Sequence, residues 1–182
     1  MFNRLNKIIF FLLPSAFSRG KFLEEKKVFN EVGSNIFFQP RKLPSDPKLI
    51  KFKNNIAVAS DVTFVNHDVM HHVFNNINNN STEFHMGCIE VGNNVFIGAK
   101  STIMPNVRIG DNCIIAAGCV VTKDIPEGSV VAGVPARIIG SFDDVFIERK
   151  IERQYNLGKS RDEIIKDLWN AFELKNNGRK SL

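Results

Sequence analysis

The chain carries four histidines, and three of them fall in VNHDVMHH, residues 65–72. His67, His71 and His72 stand there with Asp68, and His85 follows downstream. Two chemistries use such a cluster. A neutral imidazole near its ordinary pKa of about 6.5 can take a proton from a hydroxyl and give it back. A pair spaced as His67-x3-His71 could instead hold zinc, if both sat on one face of a helix. The Asn-rich context 75–80 reads as loop, which counts against that helix. The three cysteines, Cys88, Cys113 and Cys119, show no CxxC spacing. They suggest a reducing compartment and no disulfide framework.

The elements that must position these groups are written in a six-residue beat. From Val91 the text divides into VGNNVF, IGAKST, IMPNVR, IGDNCI, IAAGCV and VTKDIP. An aliphatic residue opens each unit: Val91, Ile97, Ile103, Ile109, Ile115 and Val121. Four places later comes a small or aliphatic residue, Cys113 and Cys119 among them. A period of six is neither helical nor simple strand alternation. It marks a parallel β-helix, with three units to a triangular coil of about 18 residues. The openers point inward and stack on their equivalents one coil away, while Gly and Asn take the corners, where φ > 0 is favoured. Cys113 and Cys119 then face the core, where an apolar thiol ionises poorly and makes no nucleophile.

Upstream the beat continues as IKFKNN, IAVASD and VTFVNH over residues 50–67, and as VGSNIF and FQPRKL over 32–43. A short insertion covers 44–49 and a longer one 68–84, giving about four coils. Helical pieces flank the repeat, over 21–32 and 143–175. Ser160 with Glu163 forms a capping-box pattern, and Ile164, Ile165, Leu168, Trp169 and Phe172 make an apolar face expected to cover an end or edge of the repeat. The organisation is thus an N-terminal helical segment 1–31, a β-helix domain 32–140 and a C-terminal helical extension 141–182.

The net charge of +5 suits an anionic cofactor, an anionic membrane surface or nucleic acid. The basic residues are scattered and do not interleave with aromatics, so no nucleic acid is expected. Residues 1–20, MFNRLNKIIFFLLPSAFSRG, set basic residues before an apolar run, as a secretory signal does. Pro14 breaks the run Ile8–Leu13, which is too short to span a bilayer. Two readings stand: a short helix packed on the body, or an interfacial helix at the inner membrane face of a cytoplasmic protein.

Residues 89–140, IEVGNNVFIGAKSTIMPNVRIGDNCIIAAGCVVTKDIPEGSVVAGVPARIIG, resemble the left-handed β-helix hexapeptide acyltransferases. They look most like the sugar O-acetyltransferases, such as galactoside and maltose acetyltransferases, and the layout is similar to acetyltransferases of capsule and lipopolysaccharide synthesis. The resemblance implies an all-β fold, a left-handed parallel β-helix with flanking N- and C-terminal α-helices, and a homotrimer with sites between subunits. It implies acetyl-CoA as co-substrate, a glycan or small-molecule acceptor, and no metal. His67, which ends a coil just before the acceptor loop 68–84, becomes the general base. Asp68, His71, His72 and His85 would meet the acceptor. Ala99 and Ala117 would contact the pantetheine arm, Thr122 and Lys123 match the VTK region, and Arg137 matches the arginine of GVPAR. Phe96 takes a place where the family often has Trp.

Alternatives are transfer to an amino sugar or an antibiotic, a zinc enzyme of the gamma-carbonic-anhydrase type, and a non-catalytic scaffold. The zinc enzymes place one histidine well upstream of a second pair, and no histidine precedes His67 here. The group that orients the His67 ring is not identified by the sequence.

Overall fold

A computed structural model describes residues 4–77 and 82–177, so part of the Asn-rich run 75–80 lies outside the described residues. The chain divides into two units, Met1–Phe142 and Asp143–Leu182.

The first unit is built of short strands: β1 (Glu31–Val32), β2 (Ile36–Phe38), β3 (Ile50–Phe52), β4 (Ile56–Val58), β5 (Thr63–Phe64), β6 (Ile89–Val91), β7 (Val95–Ile97), β8 (Thr102–Ile103), β9 (Val107–Ile109), β10 (Cys113–Ile115), β11 (Val120–Val121), β12 (Ser129–Ala132) and β13 (Arg137–Ser141). They fall into three sheets, ordered β1-β3-β6-β9, β2-β4-β7-β10-β12-β13 and β5-β8-β11. Every pairing is parallel except that of β12 with β13. From β3 to β11 consecutive strands visit the three sheets in rotation. The register confirms the 18-residue coil: Val91 pairs with Ile109, Ile97 with Ile115 and Ile103 with Val121. All six openers are at most 1% exposed. Burying each such side chain contributes about 1.5–3 kcal/mol, so the ladder of openers is the core.

Upstream the frame differs from the expected one by two residues. Phe52, Val58 and Phe64 are the partners of Val91, Ile97 and Ile103, whereas Ile50, Ile56 and Val62 were expected to open those units. The cause is the strand pattern. In Ile50–Phe52 and Ile56–Val58 both ends are buried and the middle is not, so either end can be taken as the opener.

The corners explain the polar residues. Asn35, Asn55, Asn94 and Asn112 have φ of 60°, 58°, 57° and 54°. Asn tolerates this left-handed conformation better than other non-glycine residues. Their side-chain amides form a ladder from coil to coil at 2.7–2.8 Å.

At the N-terminal end the core is aromatic. Phe29 lies 4.9 Å from Phe52, and Phe52 lies 5.6 Å from Phe64. Helices α1 (Arg4–Leu12) and α2 (Ala16–Glu25) add Phe10, Phe22 and Leu23 to it, all buried. A helix was expected over 21–32, but α2 stops at Glu25 because the chain enters β1 at Glu31. Gly20 permits the contact of α2 with β2, since a Cβ there would fall 1.7 Å from the Ile36 carbonyl oxygen. Leu5, Ile8, Ile9, Phe11 and Leu12 of α1 stay exposed. No described helix is long and apolar enough to cross a membrane.

The second unit holds α4, which begins at the junction (Phe142–Tyr155), and α5 (Arg161–Asn177). The Ser160 cap forms as expected: its N–H donates to Glu163 Oε2 at 2.7 Å, and Glu163 N–H donates to Ser160 Oγ at 3.3 Å. Within this unit Ile165, Leu168, Trp169 and Phe172 share the exposed face of α5.

Candidate functional site

The site forms where the coil rhythm is interrupted. Strand β5 ends at Phe64, and Asn66 and His67 follow before the chain leaves on the 68–84 excursion. The excursion departs and returns at one place. His67 bridges Met86 in antiparallel fashion, Asp68 N–H donates to the His85 carbonyl at 3.3 Å, and Gly87 N–H donates to the Asn66 carbonyl at 2.9 Å. Its first half is α3 (Met70–Ile77), where a loop was expected over 75–80. The Asp68 carboxylate accepts from the Met70 N–H at 2.9 Å and so starts that helix. His67 lies before α3 and His71 within it, so the two do not share a helical face.

The partner of His67 comes from the other interruption. Asp46 Oδ2 lies 2.7 Å from His67 Nδ1, with the His67 side chain one-quarter exposed. The contact has the distance of a hydrogen bond but not its alignment, and Nδ1 is buried without an aligned partner. Such contacts often straighten only when substrate is bound. Two features hold Asp46 in place. Pro47 opens a 3₁₀ turn, Pro47–Leu49, for which Asp46 is the N-terminal cap position without spending its carboxylate there. The Asn66 side chain, 2% exposed, donates to the Asp46 carbonyl at 2.6 Å. The residue before the histidine thus pins the backbone whose side chain meets that histidine. Sequence reasoning missed both Asp46 and Asn66. The available signal was an acid in the 44–49 insertion and a buried-type Asn beside the histidine.

Of the other expected acceptor contacts, His71 is half-buried, with its ring centroid 5.3 Å from that of Phe84. The Phe84 ring also lies 5.1 Å from His67, so this unflagged aromatic joins the two histidines. His72 and His85 are exposed. Among the described residues no three His, Cys, Asp or Glu side chains converge as metal ligands.

Of the residues expected to meet coenzyme A, Thr122, Lys123 and Arg137 come together. They line a groove of about 450 Å³ with Ala136 and Ile138. Ala99 and Ala117 sit at equivalent places in successive coils, and the Gly118 N–H donates to the Ala99 carbonyl at 2.8 Å. They are not among the residues lining that groove. Phe96 is exposed on β7. Cys113 and Cys119 are fully buried, and burial pushes both thiols up from the ordinary range, so neither is a ready nucleophile. Cys88 is exposed.

Comparison with known proteins extends this picture. Residues 89–123 match the bacterial transferase hexapeptide (six repeats). The chain is 37% identical to the galactoside O-acetyltransferase of Escherichia coli K12 over 115 residues, 62% of this chain and 54% of that one. It is 41% identical to Protein CapG of Staphylococcus aureus over 99 residues, 54% of this chain and 56% of that one. The matches span about half the length of these curated relatives. A solved galactoside acetyltransferase in complex with coenzyme A superposes with a TM-score of 0.57 at 30% identity, over 78% of this chain and 80% of that one. The repeat, the parallel sheets and a likeness that covers four-fifths of a solved transferase agree: the chain belongs to the bacterial hexapeptide-repeat transferases.

Proposed function

We propose that the protein is an acetyl-CoA-dependent O-acetyltransferase acting on a sugar hydroxyl, in the synthesis of a surface polysaccharide of the capsule or lipopolysaccharide kind. In this reading the coils wind left-handed and three chains assemble, with each site completed by a neighbour. The observation that carries the chemistry is the Asp46 carboxylate 2.7 Å from His67 Nδ1.

The steps follow from that pair. Asp46 favours the tautomer with hydrogen on Nδ1, which leaves Nε2 as the acceptor. Nε2 takes the proton of the acceptor hydroxyl as its oxygen attacks the thioester carbonyl. The tetrahedral intermediate collapses, the C–S bond breaks, and the imidazolium returns the proton to the departing thiolate. Asp46 stabilises the imidazolium that forms in between. Asp68, His71, His72 and His85 border the acceptor on the 68–84 side. Lys123 and Arg137 bind phosphates of coenzyme A, Thr122 lies beside them, and Ala99 and Ala117 offer backbone groups to its pantetheine arm. The same reading places the protein in the cytoplasm, with the exposed apolar residues of α1 against the inner membrane face.

The test is a titration with coenzyme A followed by an acceptor screen with acetyl-CoA and thiol detection. Coenzyme A binding and acceptor-dependent thiol release are expected. A protein that binds no coenzyme A, or a wild-type activity abolished by EDTA, would overturn the proposal. Light scattering should give the mass of three chains.

A further inference from the structure

A second cavity, of about 700 Å³, opens beside the His67–Asp46 pair and belongs to neither the coil stack nor the Thr122–Arg137 groove. Asp46 lines it directly, and so does Met86, the bridge partner of His67. Its other walls come from α1, from the segment after α2 and from the rest of the 43–49 stretch. That volume lies in the range that takes one small ligand.

The walls carry four lysines, Lys7, Lys26, Lys27 and Lys48, against the single carboxylate of Asp46. Lys48 is structural, since its ammonium donates to the Lys27 carbonyl at 2.6 Å and the Phe29 carbonyl at 3.0 Å. Lys7, Lys26 and Lys27 form no salt bridge among the described residues. The segment that brings two of them, Lys26 and Lys27, is the C-terminal cap of α2, where Val28 N–H donates to the Leu23 carbonyl at 3.1 Å and Lys27 N–H to the Glu24 carbonyl at 3.2 Å. Lys27 has φ of 45°, a left-handed conformation that Gly or Asn adopts more readily.

We propose that this cavity extends the acceptor site and selects a phosphate-bearing sugar, holding the phosphate with Lys7, Lys26 and Lys27 while the reacting hydroxyl lies outside it, at His67 on the 68–84 side. This rests on the acetyltransferase reading and names its substrate class. Lysines without an arginine fork bind phosphate as point charges. Asp46 is paired with His67 and at the protonation step carries the imidazolium's counter-charge, so it does not cancel the lysines. A neutral sugar would make no use of the three ammonium groups.

The experiment saturates the protein with coenzyme A, which fills the other phosphate site, and titrates it by calorimetry. The probes are inorganic pyrophosphate, glucose 1-phosphate, glucuronate and glucose. Wild type is compared with Lys7→Gln/Lys26→Gln/Lys27→Gln, its fold checked by thermal melting. Pyrophosphate is expected to bind, and glucose 1-phosphate to bind about tenfold or more tightly than glucose. Both effects should disappear in the triple variant and weaken with salt. Absence of pyrophosphate binding, or a preference unchanged in the triple variant, overturns the proposal. Glucuronate binding as tightly as glucose 1-phosphate overturns the choice of phosphate. Acetylation of neutral sugars by the wild-type protein as fast as of sugar phosphates removes this site and leaves the transferase standing. A protein that fails to bind coenzyme A strikes the transferase reading instead, and pyrophosphate titrated onto the protein alone still decides the cavity.

Discussion

Between Ile89 and Val121 the chain keeps time: Val91, Ile97, Ile103, Ile109, Ile115 and Val121 are buried, and the first three pair with the last three, 18 residues on. At 44–49 and 68–84 it leaves that rhythm, and the two departures meet at Asp46 and His67. The contrast separates two kinds of work. The regular wall satisfies backbone groups in parallel ladders and buries a continuous apolar core. Its inward positions are filled by the openers themselves. The departures carry side chains that the ladder does not use, and the ladder holds their ends in place through Asn66, Met86 and Gly87.

This contrast can be broken by substitutions that separate stability from chemistry. His67→Ala should lower kcat by about 10²–10⁴-fold while the melting temperature stays near that of wild type, since no coil opener is touched. Phe52→Ala should do the reverse. It removes a fully buried ring that touches Phe29, Phe38 and Phe64, and should cost about 3–5 kcal/mol in denaturant unfolding. The fraction that stays folded should keep a kcat near wild type. Inactive Phe52→Ala that is still folded, or His67→Ala that melts early, would erase the division.

The regular wall was also the legible part. Downstream of Val91 one strand residue in six recurs as Ile or Val with Gly, Asn or Asp between, and no other period fits. The frame slipped by two over 50–64 because Ile50 and Phe52, and Ile56 and Val58, are apolar and inward alike. His67 could be singled out because it precedes a long insertion. Asp46 could not, since its meeting with His67 depends on how two irregular segments fold back on each other across 21 positions. The helix α3 was hidden by its Asn- and His-rich composition, which reads as loop although Asp68 starts it.

Smaller effects sharpen the comparison. Asp46→Asn keeps the shape of the excursion and removes the charge beside Nδ1, so kcat should fall about 10–100-fold with the fold intact. Lys123→Ala and Arg137→Ala, on the groove at the far end of the repeat, should each raise the KM for acetyl-CoA about 5–30-fold with little change in kcat. Wild-type acetyl-CoA affinity in both would move the cofactor elsewhere.

The most direct measurement is a double-mutant cycle on kcat for acetyl transfer, with His67→Ala, Asp46→Asn and the two combined. If Asp46 acts through His67, Asp46→Asn loses its effect once the imidazole is gone, and the double variant turns over at about the rate of His67→Ala alone. Equal losses from Asp46→Asn with and without His67 would contradict the account, because the two departures would then contribute to catalysis independently.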